Sequence, residues 1–131
     1  MEGVNILAVV AAAVSSFLLG GIWYGPLFKN VWCREAGVDP DPAKGGHPAK
    51  VFGGAFVFSL LSAFVFATWL GAAPNLRHAV QSGATVGFCF VAASFGINYL
   101  FANRSLKLWL IDGGYHTLQF TLYGLVLGLW H

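Results

Sequence analysis

Four runs of mostly apolar residues fill this sequence: about Val4 to Tyr24, Val51 to Ala73, Ala79 to Phe101 and Leu108 to Trp130. Each has the roughly 20 residues that a helix needs to cross the hydrocarbon of a bilayer. The chain is 57% hydrophobic and only 9% charged, against about 25% charged in soluble domains. A water-soluble domain of 131 residues would cover its outside with charge, and this chain cannot, so lipid is its expected solvent. The expected fold is a single all-α transmembrane domain over residues 1–131, a four-helix bundle embedded in the membrane. A net charge of +2 with scattered basic residues argues against nucleic acid as a partner.

The opening "MEGVNILAVVAAAVSSF" has no Lys or Arg ahead of its apolar run, which then continues uncharged to Phe28. That is longer than a signal-peptide core, so a retained transmembrane helix is expected. Six of the seven Lys and Arg residues fall in the connections 25–50 and 102–107. With four spans those connections share a side, which the positive-inside rule makes cytoplasmic, leaving both termini outside. The setting this implies is a multi-pass protein of a bacterial inner membrane. Trp23, Tyr24, Trp109 and Trp130 fall near span ends, where aromatic rings favour the headgroup layer.

The long connection holds more than a loop. Pro26 suits the first turn of a helix, Leu27, Phe28, Val31 and Trp32 then share a face, and Gly37 follows as a stop. A short amphipathic helix on the membrane surface is expected there. His47 and Pro48 are placed at the start of the second span. Cys33 falls in this polar connection and Cys89 in an apolar run. Their different depths argue for two free thiols.

Small residues recur at spacing four: Ala8, Ala12, Ser16 and Gly20; Ala55, Ser59, Ala63 and Ala67; Gly83 and Gly87; Gly124 and Gly128. Between lipid-embedded helices such residues permit close approach, within one chain or between copies. "GIWYGPLFKN" (21–30) also resembles "GINYLFAN" (96–103). Two helical hairpins related by an axis along the membrane normal would explain it, an arrangement found in transporters.

The last run carries the only charged side chain within a span, Asp112. Asp112, His116, Gln119 and Tyr123 follow steps of four, three and four and share one helix face. Trp23, Tyr24, Asn98 and Tyr99 lie at similar depth on spans one and three, with Tyr115 beside the stripe. Together Trp23, Tyr24, Asn98, Tyr99, Asp112, Tyr115, His116 and Gln119 form a candidate polar pocket opening to the cytoplasm. A carboxylate at mid-membrane costs about 2.5–3.5 kcal/mol on insertion scales, so it should find a donor inside the bundle. His116, Asn98 and Tyr99 are the candidate donors. The constellation reads either as inter-helix hydrogen-bond glue or as a proton or ligand path. Pigment or metal ligation by His116 is a weaker reading, since no second histidine stands at ligand spacing. No cofactor is expected, and no HExxH, phosphate loop or nucleophile–base spacing indicates an enzyme.

"WYGPLF" (23–28), "HPAKVFGGAF" (47–56) and "INYLFANRSLKLWLIDGGYH" (97–116) carry a family resemblance. The chain resembles small four-span bacterial membrane proteins catalogued only as a domain of unknown function, marked by WYGPLF, NPAK and a late GYH. The resemblance implies a membrane fold and no established activity. His47 replaces the Asn of NPAK, and Asp112 stands where that family often has Asn. An amide does not relay protons as a carboxylate does, so the second departure favours hydrogen bonding as the role of position 112. The expected function is that of a non-enzymatic membrane protein, oligomeric or an accessory subunit of a larger membrane complex. The alternative is a small-solute or proton-coupled transporter using the Asp112/His116 pair.

Overall fold

A computed structural model describes residues 3–41 and 48–131, and the described residues are all-helical with no strand. Five helices follow in order: α1 (Ile6–Leu27), α2 (Lys29–Ala36), α3 (Pro48–Leu70), α4 (Leu76–Phe101) and α5 (Leu106–Leu129). Their starts are set by side chains that take the orphan amides of a first turn. Asn5 accepts from Leu7 and Ala8, Asn75 from Arg77 and His78, and Ser105 from Leu108. Asn75 therefore starts α4 three residues ahead of the expected Ala79, and Arg77 and His78 are helical rather than part of a turn. The expectation for His47 lies outside the described residues.

α1, α3 and α4 are long and apolar enough to cross a membrane. α5 is not among them, so three of the four expected spans meet that measure. Its 24 residues give a length of about 36 Å, but Asp112, His116 and Gln119 lower its apolarity. It is also the most enclosed helix, with nine buried residues against five in α1 and four in α3. A helix has no need of an apolar surface on the faces that its neighbours cover.

α5 lies between α1 and α4, while α3 packs on α1 and meets α5 more lightly. The small-residue stripes are seams within the chain. Ala8, Ala12 and Ser16 of α1 are fully buried, as is Ala63 of α3, with Ser59 and Ala67 nearly so. A Cβ built on Gly87 would stand 2.6 Å from the His116 carbonyl oxygen, and one on Gly83 would run into the Phe120 carbonyl. Gly124 faces the Ala79 carbonyl and Gly128 the Leu76 backbone in the same way. The backbones of α4 and α5 thus touch, an approach only glycine allows. Ala55 is exposed and belongs to no seam. The outside is apolar: Phe58, Trp69, Leu100 and Phe101 are 72 to 90% exposed.

Two turns widen to π geometry, Trp23–Leu27 at the end of α1 and Val86–Ala92 inside α4. Pro26 sits in the first of these, not at the start of α2, because Gly25 leaves helical dihedrals (φ −99°, ψ −105°) and delays the next helix to Lys29. Gly37 ends α2 in the left-handed region at φ 74°, where glycine carries no Cβ penalty. Cys33 is buried on α2 rather than lying in a polar loop; Cys89 is exposed, and both are free.

Candidate functional site

The carboxylate of Asp112 is the meeting point of four helices. Tyr24 of α1 donates its hydroxyl to Oδ1 at 2.5 Å, and Tyr99 of α4 donates to Oδ2 at 2.5 Å. The Trp32 indole of α2 donates to Oδ1 at 3.0 Å. Asp112 itself, on α5, is only 6% exposed. A carboxylate only accepts, so three converging N–H and O–H groups fit its ionised form. Beside it, the Trp23 indole donates to the Ile111 carbonyl at 2.8 Å, pinning the end of α1 to α5 one residue away.

α2 is held over this cluster. Trp32 packs edge-on to Tyr24, with ring centroids 5.5 Å apart, and Tyr24 packs likewise on Tyr115. At the far end of α2, Arg104 donates to the Ala36 carbonyl at 3.3 Å. On its surface the Ser105 hydroxyl, and then Arg34, hold the Glu35 carboxyl below the usual carboxylate range. Arg34 and Glu35 form an ion pair at 3.4 Å.

Asp112 and His116 do not bond to each other. The His116 Nδ1 lies 2.6 Å from Gln119 Oε1. With the amide placed so that Oε1 accepts and Nε2 donates, His116 carries its proton on Nδ1. The Gln119 amide donates to Tyr123 at 2.7 Å, and Tyr123 lies 2.7 Å from Ser59 Oγ. Ser59 and Ser16 hydroxyls are 3.0 Å apart, and Ser16 donates to the Ala13 carbonyl. The Tyr123 hydroxyl also donates to the Ser59 carbonyl at 3.2 Å, and the series ends at a main-chain acceptor on α1. The imidazole stacks on Phe95 with centroids 4.8 Å apart. Tyr115 stays outside this chain and donates to the Ser16 carbonyl at 3.0 Å.

The eight candidate residues thus separate. Tyr24, Tyr99 and Asp112 join one cluster with Trp23 beside them; His116 and Gln119 join a second, and Tyr115 bridges α5 to α1. Asn98 joins neither and is exposed. Adjacent helical residues point about 100° apart, so the inward turn of Tyr99 carries Asn98 outward. Trp32, Ser16 and Ser59 are members that the sequence did not single out as site residues, whereas Tyr123 belongs to the polar stripe read from spacing. Trp32 read as an interfacial side chain and the serines as small packing residues. A tryptophan N–H or a serine hydroxyl in an apolar helix needs a partner, and that was the available signal. No group of three or more metal-ligating side chains occurs among the described residues.

The sequence matches, over residues 7–128, the family described as Protein of unknown function (DUF1761), and the chain belongs to that family. No curated protein and no solved structure matches it.

Proposed function

We propose that this member of the DUF1761 family is a non-enzymatic, four-span protein of a bacterial cytoplasmic membrane, acting as a self-associating or accessory subunit of a membrane complex. One observation carries the reading: the buried polar stripe of α5 is used up by partners on other helices of the same chain. Asp112 receives Tyr24, Trp32 and Tyr99, while Gln119 reaches Ser59 and Ser16 through Tyr123. Side chains so engaged hold helices together and leave no nucleophile beside a base. With its polar edge turned inward, α5 is the fourth span. The basic connections then lie in the cytoplasm and both termini outside. Tyr24 and Tyr99 stand at matched positions of "GIWY" and "GINY" and grip opposite oxygens of Asp112, which supports two parallel helical hairpins meeting at that residue.

No cofactor enters this reading. The broad apolar outside, far larger than four helices need for their own packing, is the surface offered to lipid, to further copies and to other subunits. The test is extraction in a mild detergent followed by mass measurement. The expected particle exceeds the 14.0 kDa of one chain; a strictly monomeric, partner-free particle contradicts the proposal.

The transport alternative has one feature in its favour, the Nε2 lone pair of a half-buried His116. An amide occupies the next place in the chain, however, and an amide does not pass protons on. Proteoliposomes of the native chain are expected to show the proton flux of empty liposomes. Flux that disappears in His116→Ala would install the transport reading instead.

A further inference from the structure

A groove of about 490 Å³ runs along α5, between α1 and α4. Its floor is Gly113 and Gly114, and its walls include the indoles of Trp23 and Trp109, with Leu110 and Leu118 along its length. Both indole N–H groups are turned away from it. Trp23 donates to the Ile111 carbonyl and Trp109 to the Ala92 carbonyl, each at 2.8 Å. Even the Thr117 hydroxyl is spent on the Gly113 carbonyl. What faces outward is hydrocarbon, held in fixed orientation by polar bonds made elsewhere. The glycines keep the slot open: a Cβ on Gly114 would stand 3.1 Å from the Trp23 ring, and one on Gly113 3.4 Å from that of Trp109.

A cation, Lys107, stands one helical turn before Leu110 of the groove. Lys107 precedes Leu110, Gly114 and Leu118 by three, seven and eleven residues, which sets it on the same helix face. It is exposed, and its charge acts on Glu35, which is already paired with Arg34. A dry slot of 300–1,000 Å³ with one well-placed polar group at its edge is the usual make-up of a ligand site.

We propose that this groove binds one acyl chain of an anionic phospholipid, between Trp23 and Trp109 over the Gly113–Gly114 floor, with the lipid phosphate on Lys107. The proposal rests on the membrane-spanning reading, which places Lys107 at the cytoplasmic headgroup layer, where anionic lipid is found. A zwitterionic lipid would fill the slot equally well but would gain less from the lysine, because its own ammonium competes for the phosphate.

The experiment is native mass spectrometry of the full chain released from nanodiscs of equal parts phosphatidylglycerol and phosphatidylcholine. The native protein is expected to retain phosphatidylglycerol about fivefold over its share of the bilayer, the preference one lysine contact supplies. Lys107→Gln should return the retained lipid to the bilayer ratio while keeping it bound. Leu110→Trp, which fills the slot from an exposed position, should reduce retention of both lipids. Helicity by circular dichroism should not change in either variant, since both positions are exposed. Retained lipid that mirrors the bilayer in the native protein, or enrichment that survives Lys107→Gln, overturns the proposal. Failure of the chain to enter nanodiscs at all would instead overturn the spanning reading.

Discussion

Two polar clusters share α5 and are built in opposite ways. Around Asp112 the bonds converge: a single acceptor holds α1, α2 and α4 at once. From His116 to Ser16 they run in file, each group bonded to the neighbour on either side. Losing the centre of a star strands every donor around it, whereas losing one link of a chain strands its two neighbours. The charge is placed where many helices meet near the end of the bundle, and the neutral links cross its interior. That division follows from solvation, since an ion in a low-dielectric setting needs several donors and a hydroxyl needs only one.

The largest effect should come from removing the centre. Asp112→Ala leaves two phenols and an indole without an acceptor. Hydrogen bonds inside membrane proteins average about 0.6 kcal/mol with a ceiling near 1.7, so three of them amount to roughly 2–4 kcal/mol. Unfolding in mixed micelles of sodium dodecyl sulfate, followed by circular dichroism, measures it. Asp112→Asn keeps one acceptor oxygen and should forfeit no more than half as much. If the two variants match, charge rather than hydrogen bonding holds the star together.

Tyr123→Phe breaks the file at its middle, removing the hydroxyl that accepts from Gln119 and faces Ser59. Without those two hydrogen bonds the bundle should be less stable by roughly 1–2 kcal/mol, a smaller effect than that of Asp112→Ala in the same assay. A larger effect than at Asp112 would reverse the ranking of the two clusters. Smaller again, Tyr24→Phe and Tyr99→Phe should each lower stability by about 0.6 kcal/mol, and by similar amounts, because each gives up one bond to one carboxylate oxygen. Unequal effects would break the matched roles assigned to the two tyrosines.

The smallest effect concerns the surface of α2. Glu35 is held below its ordinary carboxylate range, first by the Ser105 hydroxyl and then by Arg34. A group whose folded-state value is depressed stabilises above its unfolded value and loses that contribution as pH falls through the folded value. Docking of α2, read from Trp32 emission, should therefore weaken slightly below about pH 4.5, and Glu35→Gln should flatten the change. If Glu35→Gln detaches α2 at neutral pH, the helix is held by surface charge and not by Trp32 on Asp112.

Much of this architecture could be read in the sequence. Apolar runs located the four long helices, Gly37 marked the end of α2, and spacing four identified the seams later seen at Ala12, Ala63, Gly83 and Gly124. Tyr99 as a donor to Asp112 was readable from depth and chemistry. The remainder depended on rotation about helix axes. Two π turns shift the faces of α1 and α4 relative to a regular wheel, so the partners of Trp23 and the outward turn of Asn98 do not follow from counting. Nor does spacing tell a serine that fills a seam from one that also links hydroxyls across it, as Ser16 and Ser59 do. Hydropathy sets α5 apart from α1, α3 and α4, but it does not say that the polar side chains of α5 are spent on bonds to neighbouring helices.

The claim on which the rest stands is that α5 crosses the bilayer with its polar edge inward. Spin labels placed singly along residues 108–129 in liposomes, probed with oxygen and with a water-soluble nickel relaxant, test it most directly. Oxygen access should peak at Leu110, Leu118 and Leu125, which are exposed, and fall at Asp112, Gln119 and Tyr123, with the nickel reagent excluded from the middle of the helix. Nickel access along its whole length, or oxygen peaks on the Asp112–Gln119–Tyr123 edge, would contradict it.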